Sequence, residues 1–176
     1  MRRGFGCGLA MVFGAMVALC AGETAKAAEA LTRGASGYPV PRFVSLAKAK
    51  VNVRVGPSTG HKIKWTFKKA GLPVEIVREY GNWRRVRYAD GAKGWVHHSL
   101  LSGRRMALVM PWSDGETVAL RASANDGSKT TALLEPLVLA SVEACDGAWC
   151  SVSGHGWRGH VPQGTLWGVY PTERFD

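Results

Sequence analysis

The residues in this chain that could do chemistry are its histidines and cysteines, and their spacing argues for neither catalysis nor metal binding. The five histidines are His61, His97, His98, His155 and His160. Adjacent His97 and His98 would point to opposite sides of a strand. The step from His155 to His160 lacks the helix that would bring both rings to one ion. No Asp or Glu joins them at ligand spacing, so no metal is expected. A Gly-rich phosphate loop, a Gly-x-Ser-x-Gly elbow and a His-Glu-x-x-His helix are missing too. Neither a cofactor nor an enzymatic activity is predicted.

What remains is recognition chemistry. Trp83 and Val86 lie three apart, so on one strand they face opposite sides, and with Val86 packed inside Trp83 points outward. Trp149 and Val152 repeat the arrangement. Each Trp can wall a ligand groove or cover the end of its own domain or its neighbour, and both readings stay open. Around Trp83 and Tyr80 the sequence sets Arg84, Arg85 and Arg87, with Arg78 on the neighbouring strand. Lys62, Lys64, Lys68 and Lys69 belong to the preceding loop. Basic plus aromatic suits an anionic polymer or an acidic peptide. The competing reading is a solvated basic surface, or one neutralised by the acidic half of the chain. The predicted ligand-binding residues are therefore Trp83, Arg84, Arg85, Arg87, Tyr80 and Trp149. Trp95 reads as a packing residue beside Val96. Arg54 and Arg121 recur at one place in two repeats, which suggests a shared structural task such as tying a strand to a loop carbonyl.

These residues sit in a chain whose charge is uneven. From Arg42 to Arg105 there are 15 basic residues against three acidic ones, a balance of +12. From Met106 to Asp176 there are four basic and eight acidic, a balance of −4. The change of sign falls at a domain boundary.

The start reads Met1-Arg2-Arg3, then a largely apolar run over 4–22, then small residues over 23–30. Those are the three regions of a secretory signal. Ala25-Lys26-Ala27 supplies the small residues a signal peptidase needs and places cleavage after Ala27, with Ala21 as runner-up. Retention as a membrane anchor is the alternative, since about 20 apolar residues can span a bilayer. Cleavage predicts a periplasmic or secreted protein without stable membrane insertion, a compartment that excludes nucleic acid as partner. Cys7 and Cys20 would leave with the leader. Outside the cytoplasm, Cys145 and Cys150 are then expected to pair across a hairpin turned by Asp146-Gly147.

Residues 28–41, small and polar with Pro39 and Pro41, read as a flexible lead. Beyond them the chain repeats. Asn52-Val53-Arg54, Asn82-Trp83 through Val86, and Gly94-Trp95-Val96 ending at Leu101 form the first copy. Ala119-Leu120-Arg121, Ala148-Trp149 through Val152, and Gly159-His160-Val161 ending at Leu166 form the second, at offsets of 67, 66 and 65 residues. Each copy is a set of short alternating or β-branched segments separated by turn dipeptides, Gly81-Asn82, Asp90-Gly91 and Asp146-Gly147. No helix is predicted after the leader beyond a single turn at Thr130 to Leu134. Small closed barrels fit, because closure removes exposed strand edges.

The first copy resembles the bacterial SH3-like family of exported and cell-wall-associated proteins. Val51-Asn52-Val53-Arg54, Gly56-Pro57-Ser58, Asn82-Trp83, Val86, Asp90-Gly91 and Gly94-Trp95-Val96 follow the family's order and spacing. The second copy is divergent, keeping Leu120-Arg121, Trp149, Val152 and Gly159 while placing His160 where Trp95 stands. The resemblance implies an all-β chain of two tandem SH3-like barrels: 1–27 leader, 28–41 lead, 42–105 a basic barrel, 106–168 an acidic one, 169–176 a C-terminal tail. It implies a habit of binding cell-wall peptides or protein segments, without fixing one ligand. A proline-rich ligand is disfavoured, because Val53, Val55 and Gly56 stand where the eukaryotic SH3 groove has tyrosines. Two roles follow, a periplasmic module that binds an envelope component and an adaptor that binds another envelope protein, with an accessory role beside a cell-wall hydrolase, or weak hydrolysis, as a distant alternative.

Overall fold

The computed structural model describes residues 32–176, so the leader and its Ala27 cleavage point lie outside the described residues. The first barrel runs β1 (Thr32–Arg33), β2 (Pro39–Val40), β3 (Arg42–Leu46), β4 (Val51–Arg54), β5 (Ile63–Phe67), β6 (Pro73–Tyr80), β7 (Trp83–Arg87), β8 (Lys93–His97) and β9 (Leu101–Ser102). The second runs β10 (Met106–Val109), β11 (Val118–Arg121), β12 (Thr130–Leu134), β13 (Leu139–Asp146), β14 (Trp149–Gly154), β15 (Trp157–Pro162), β16 (Leu166–Trp167) and β17 (Arg174–Phe175). The all-β reading holds, and Thr130 to Leu134 is a strand rather than a helical turn.

Both barrels follow one path. The first is ordered β5-β4-β8-β7-β6-β3-β9 and the second β12-β11-β15-β14-β13-β10-β16. Even the irregularities recur, with register shifts at Val53/Arg54 and Leu120/Arg121, and again at Ile76/Arg78 and Val142/Ala144. Alternation along these strands sends one set of side chains inward. Val53, Ile76, Val86 and Val96 are at most 2% exposed, and Leu120, Val142, Val152 and Val161 fill the matching places of a second, separate core. Each such side chain contributes roughly 1.5–3 kcal/mol by leaving water.

The glycines that open the third block of each repeat are explained by close packing. A Cβ on Gly159 would meet the Arg121 carbonyl oxygen at 2.6 Å, and one on Gly94 would meet the Arg54 carbonyl oxygen at 3.1 Å. Paired strands approach closely there, β4 to β8 and β11 to β15, and a side chain would push them apart. The arginines at these close approaches do the task read for them. Arg54 donates to the His61 carbonyl at 2.6 Å and Arg121 to the Ser128 carbonyl at 2.9 Å, each seven residues on. Cys145 and Cys150 face each other on β13 and β14 with Cα atoms 4.1 Å apart and are disulfide-bonded.

Two expectations are corrected. The described part of the 28–41 lead is no loose segment: β1 and β2 form a hairpin, and Val40 enters the first core. The hairpin is fastened by Glu79, which accepts from the Ser36 backbone N–H at 2.8 Å and the Ser36 hydroxyl at 2.7 Å. The 169–176 tail is equally built in. Val169 is 5% exposed in the second core, and β17 pairs with the end of β13. Buried Gln163 holds this segment by donating to the carbonyls of Tyr170 and Glu173.

The barrels also pack on each other within one compact unit. Phe43 meets Trp167 edge-on at 5.1 Å and Tyr170 at 4.8 Å. The contact is largely aromatic, and Arg105, the last residue of the predicted basic barrel, pairs with Glu173 at 2.8 Å. Exposed Arg78 and Arg85 of the basic face have no ion pair with the acidic half among the described residues, so docking leaves those two charges unmatched.

Candidate functional site

The two-residue turn Gly81-Asn82 joins β6 to β7, with Tyr80 opposite Trp83. Strand β8 then brings His97 opposite Trp83 and Trp95 opposite Arg85, and β4 brings Arg54 opposite Trp95. Cross-strand neighbours share a face. The outer surface of the first barrel thus carries an aromatic row, Tyr80–Trp83–His97, beside a mixed row, Arg78–Arg85–Trp95–Arg54. Tyr80 is 66% exposed. Trp83 is half-buried and packs edge-on to His97, with ring centres 5.5 Å apart. Beside them opens a cleft of about 330 Å³, lined by Lys50, Asn52, Arg54, Trp83, His97 and Leu100. No acidic side chain lines it.

The structure brings together Trp83, Tyr80 and Arg85 and leaves out two of the predicted arginines. Arg84 is 8% exposed and points inward, like Val86 two residues on. Its Nε lies 3.1 Å from the Glu79 carboxylate, and its Nη1 donates to the carbonyls of Gly81 and Trp83. The alternation that turned Trp83 outward carried this information. Arg87 is outward but committed elsewhere, 2.6 Å from Glu75 and stacked 5.2 Å from the Trp167 ring centre. Arg85 and Arg78 are exposed and lack an ion pair among the described residues. Trp95 lies half-buried on the outer row opposite in direction to Val96, so it lines the face as well as packing. Lys64 sits on β5 rather than in a loop, its ammonium 5.3 Å from the Trp65 ring centre.

In the second barrel the same row reads Arg121–His160–Ser151–Ala144. Small residues replace Arg85 and Arg78, and a cleft of about 290 Å³ opens between Trp149, His160, Ser151 and Phe175. Trp149 keeps its place but loses the counterparts of Arg85 and Arg78. Electrostatically the two faces differ, although their backbones follow one plan.

His97 and His98 do not splay to opposite sides. A 3₁₀ turn starts at His98, and the two rings lie 4.7 Å apart. Among the described residues no group of three or more His, Cys, Asp or Glu is placed to hold a metal ion. The bonded Cys145 and Cys150 offer no thiolate.

Sequence comparison matches the bacterial SH3 domain over residues 47–103 and again over 114–168. The chain belongs to the bacterial SH3 domain family. A provisionally named N-acetylmuramoyl-L-alanine amidase of Bacillus subtilis (strain 168), YrvJ, is 28% identical over 123 residues, covering 66% of this chain and 24% of that protein. The chain thus spans about a quarter of that relative's length. Among solved structures, NlpC2 and NlpC1 of Trichomonas vaginalis align over 74% and 77% of this chain and 49% and 48% of theirs. Both have a TM-score of 0.33, at 9% and 10% identity, a likeness too slight to carry an argument. Both bacterial SH3 domains of this chain contain the repeat blocks, so the divergent second barrel is a full family copy. The Trp83 face falls within the first.

Proposed function

We propose that this protein is a non-catalytic binding module of the cell envelope, and that its first bacterial SH3 barrel holds an acidic or peptide component of the wall. The observation that carries this reading is the Tyr80–Trp83–His97 row beside exposed Arg78 and Arg85. Flat aromatic faces stack on apolar or planar groups, while the guanidiniums attract negative charge. The similarity to a protein named as an N-acetylmuramoyl-L-alanine amidase supports the setting. So does the leader-like start, a feature of exported proteins. The second barrel orients the first through the Phe43, Trp167 and Tyr170 contact.

The test is retention of the purified protein on isolated peptidoglycan. Retention of the wild type and loss with Trp83→Ala support the reading, whereas no retention on peptidoglycan overturns it. The docked pair also favours a second role, a rigid adaptor presenting one surface to another envelope protein. Capture of one specific protein without peptidoglycan retention would select that role. Intact mass of the exported protein tests cleavage after Ala27, and a full-length mass in the membrane would mean an anchor.

A further inference from the structure

A larger cleft, of about 510 Å³, lies between the β1–β2 hairpin, strand β3 and the link that joins the barrels. It shares no lining residue with the cleft beside Trp83. Its floor is apolar, made by Phe43, Val44 and Leu101, and its polar wall is cationic, made by Arg42, Arg84 and Arg105. No acidic side chain lines it.

The charges behind that wall are one short of balance. Arg42 and Arg84 share a single carboxylate, Glu79, at 2.7 and 3.1 Å. Their side chains are only 19% and 10% exposed, so water screens the surplus poorly. Arg105 is matched by Glu173 at 2.8 Å, yet its Nε–H is buried without a hydrogen-bond partner. A buried donor left unmade is costly, and it adds to the uncompensated positive character of this wall. Ser36 and Ser102 add hydroxyls at the rim.

We propose that this cleft binds the terminal carboxylate of a short peptide whose last side chains are small and apolar. One negative charge completes the balance among the three guanidiniums, which favour planar carboxylates. Small apolar side chains suit the Phe43, Val44 and Leu101 floor. The site is independent of the Trp83 face. Such a carboxylate comes from a wall peptide or from a protein C-terminus, and stereochemistry separates the two sources.

The test is an amide-shift titration of the full exported chain with N-acetyl-D-alanyl-D-alanine, its L,L enantiomer and the C-terminal amide of each. Binding of a free acid should move the amides of Ser36, Leu101, Ser102 and Gly103 at millimolar peptide, and amidation should weaken it at least tenfold. Preference for the D,D form assigns the ligand to the wall, and preference for L,L assigns it to protein. A Cβ built on Gly103 meets nothing within 4 Å, so Gly103→Phe can obstruct the cleft in a folded protein and should abolish the shifts. Trp83→Ala should leave them intact, whatever happens to peptidoglycan retention. No shift with either acid, equal shifts with acid and amide, or shifts confined to the surroundings of Trp83 and His97 would overturn the proposal.

Discussion

The Tyr170 hydroxyl of the second barrel donates a 3.0 Å hydrogen bond to the Glu75 carboxylate of the first. Glu75 is 3% exposed and is held from the other side by Arg87 at 2.6 Å. Burial, then the charge of Glu75, pushes the Tyr170 phenol above its ordinary value of 10.0. A group whose folded value is raised contributes stability that is complete below its unfolded value and is lost as pH rises beyond it. Tyr170→Phe should therefore lower stability by about 1.5–3 kcal/mol at neutral pH, the worth of a hydrogen bond to a charged group. It should also flatten the decline above pH 10. Urea unfolding across that range checks both, and identical alkaline declines in the two proteins would refute the linkage.

The N-terminal hairpin should come loose in acid. Burial alone would raise the Glu79 carboxyl, but the Ser36 N–H and hydroxyl, then Arg42 and Arg84, outweigh it and hold the group at about 2, below its ordinary 4.5. A lowered value gives stability present above the unfolded value and lost as pH falls through the folded one. The loss should run from about pH 4.5 to about 2. Glu79→Gln should cost about 3 kcal/mol, because it leaves Arg84 buried without its counter-charge. The Ser36 amide proton reports the event, and its resonance should titrate near pH 2. A midpoint near 4.5 would show that the clasp does not form.

Salt should separate the two parts of the proposed binding face. Exposed charges are screened as the Debye length falls from about 10 Å at 0.1 M to about 3 Å at 1 M. Arg85→Ala should weaken peptidoglycan retention mainly at low salt, while Trp83→Ala should weaken it at every ionic strength. Loss of exposed Arg85 should leave the melting temperature unchanged, whereas Arg84→Ala should lower it by several degrees, about 1–3 kcal/mol, by leaving Arg42 as the one guanidinium on Glu79 and the Gly81 and Trp83 carbonyls without their donor. Retention indifferent to salt would leave the arginines as a solubility feature.

Removing the disulfide should be a matter of stability rather than function. The loop it closes is short, so the entropy model gives roughly 2 kcal/mol for Cys145→Ala with Cys150→Ala, before the small loss of packing. Denaturant midpoints check the size, and an unchanged peptidoglycan affinity checks the role. A variant that unfolds only the second barrel would also be visible as loss of the Phe43–Trp167 contact.

Local pattern made much of this legible. Alternation fixed which of Trp83 and Val86 faces out, the 65–67 residue repeat fixed two copies of one barrel, and Cys145 and Cys150 were spaced to meet across a turn. Gly94, Gly159, Arg54 and Arg121 were visible as recurring positions, since each acts on a neighbour within its own repeat. What depended on distant partners was not. Residues 32–41 look like a polar lead until Glu79, some 43 residues away, supplies the carboxylate that orders Ser36. Arg84 and Arg87 look like members of a basic face until Glu79 and Glu75 claim them. A strand's sequence sets the side on which a charge emerges, but only the folded chain brings up the counter-charge that decides whether the charge is spent inside the protein or left for a ligand.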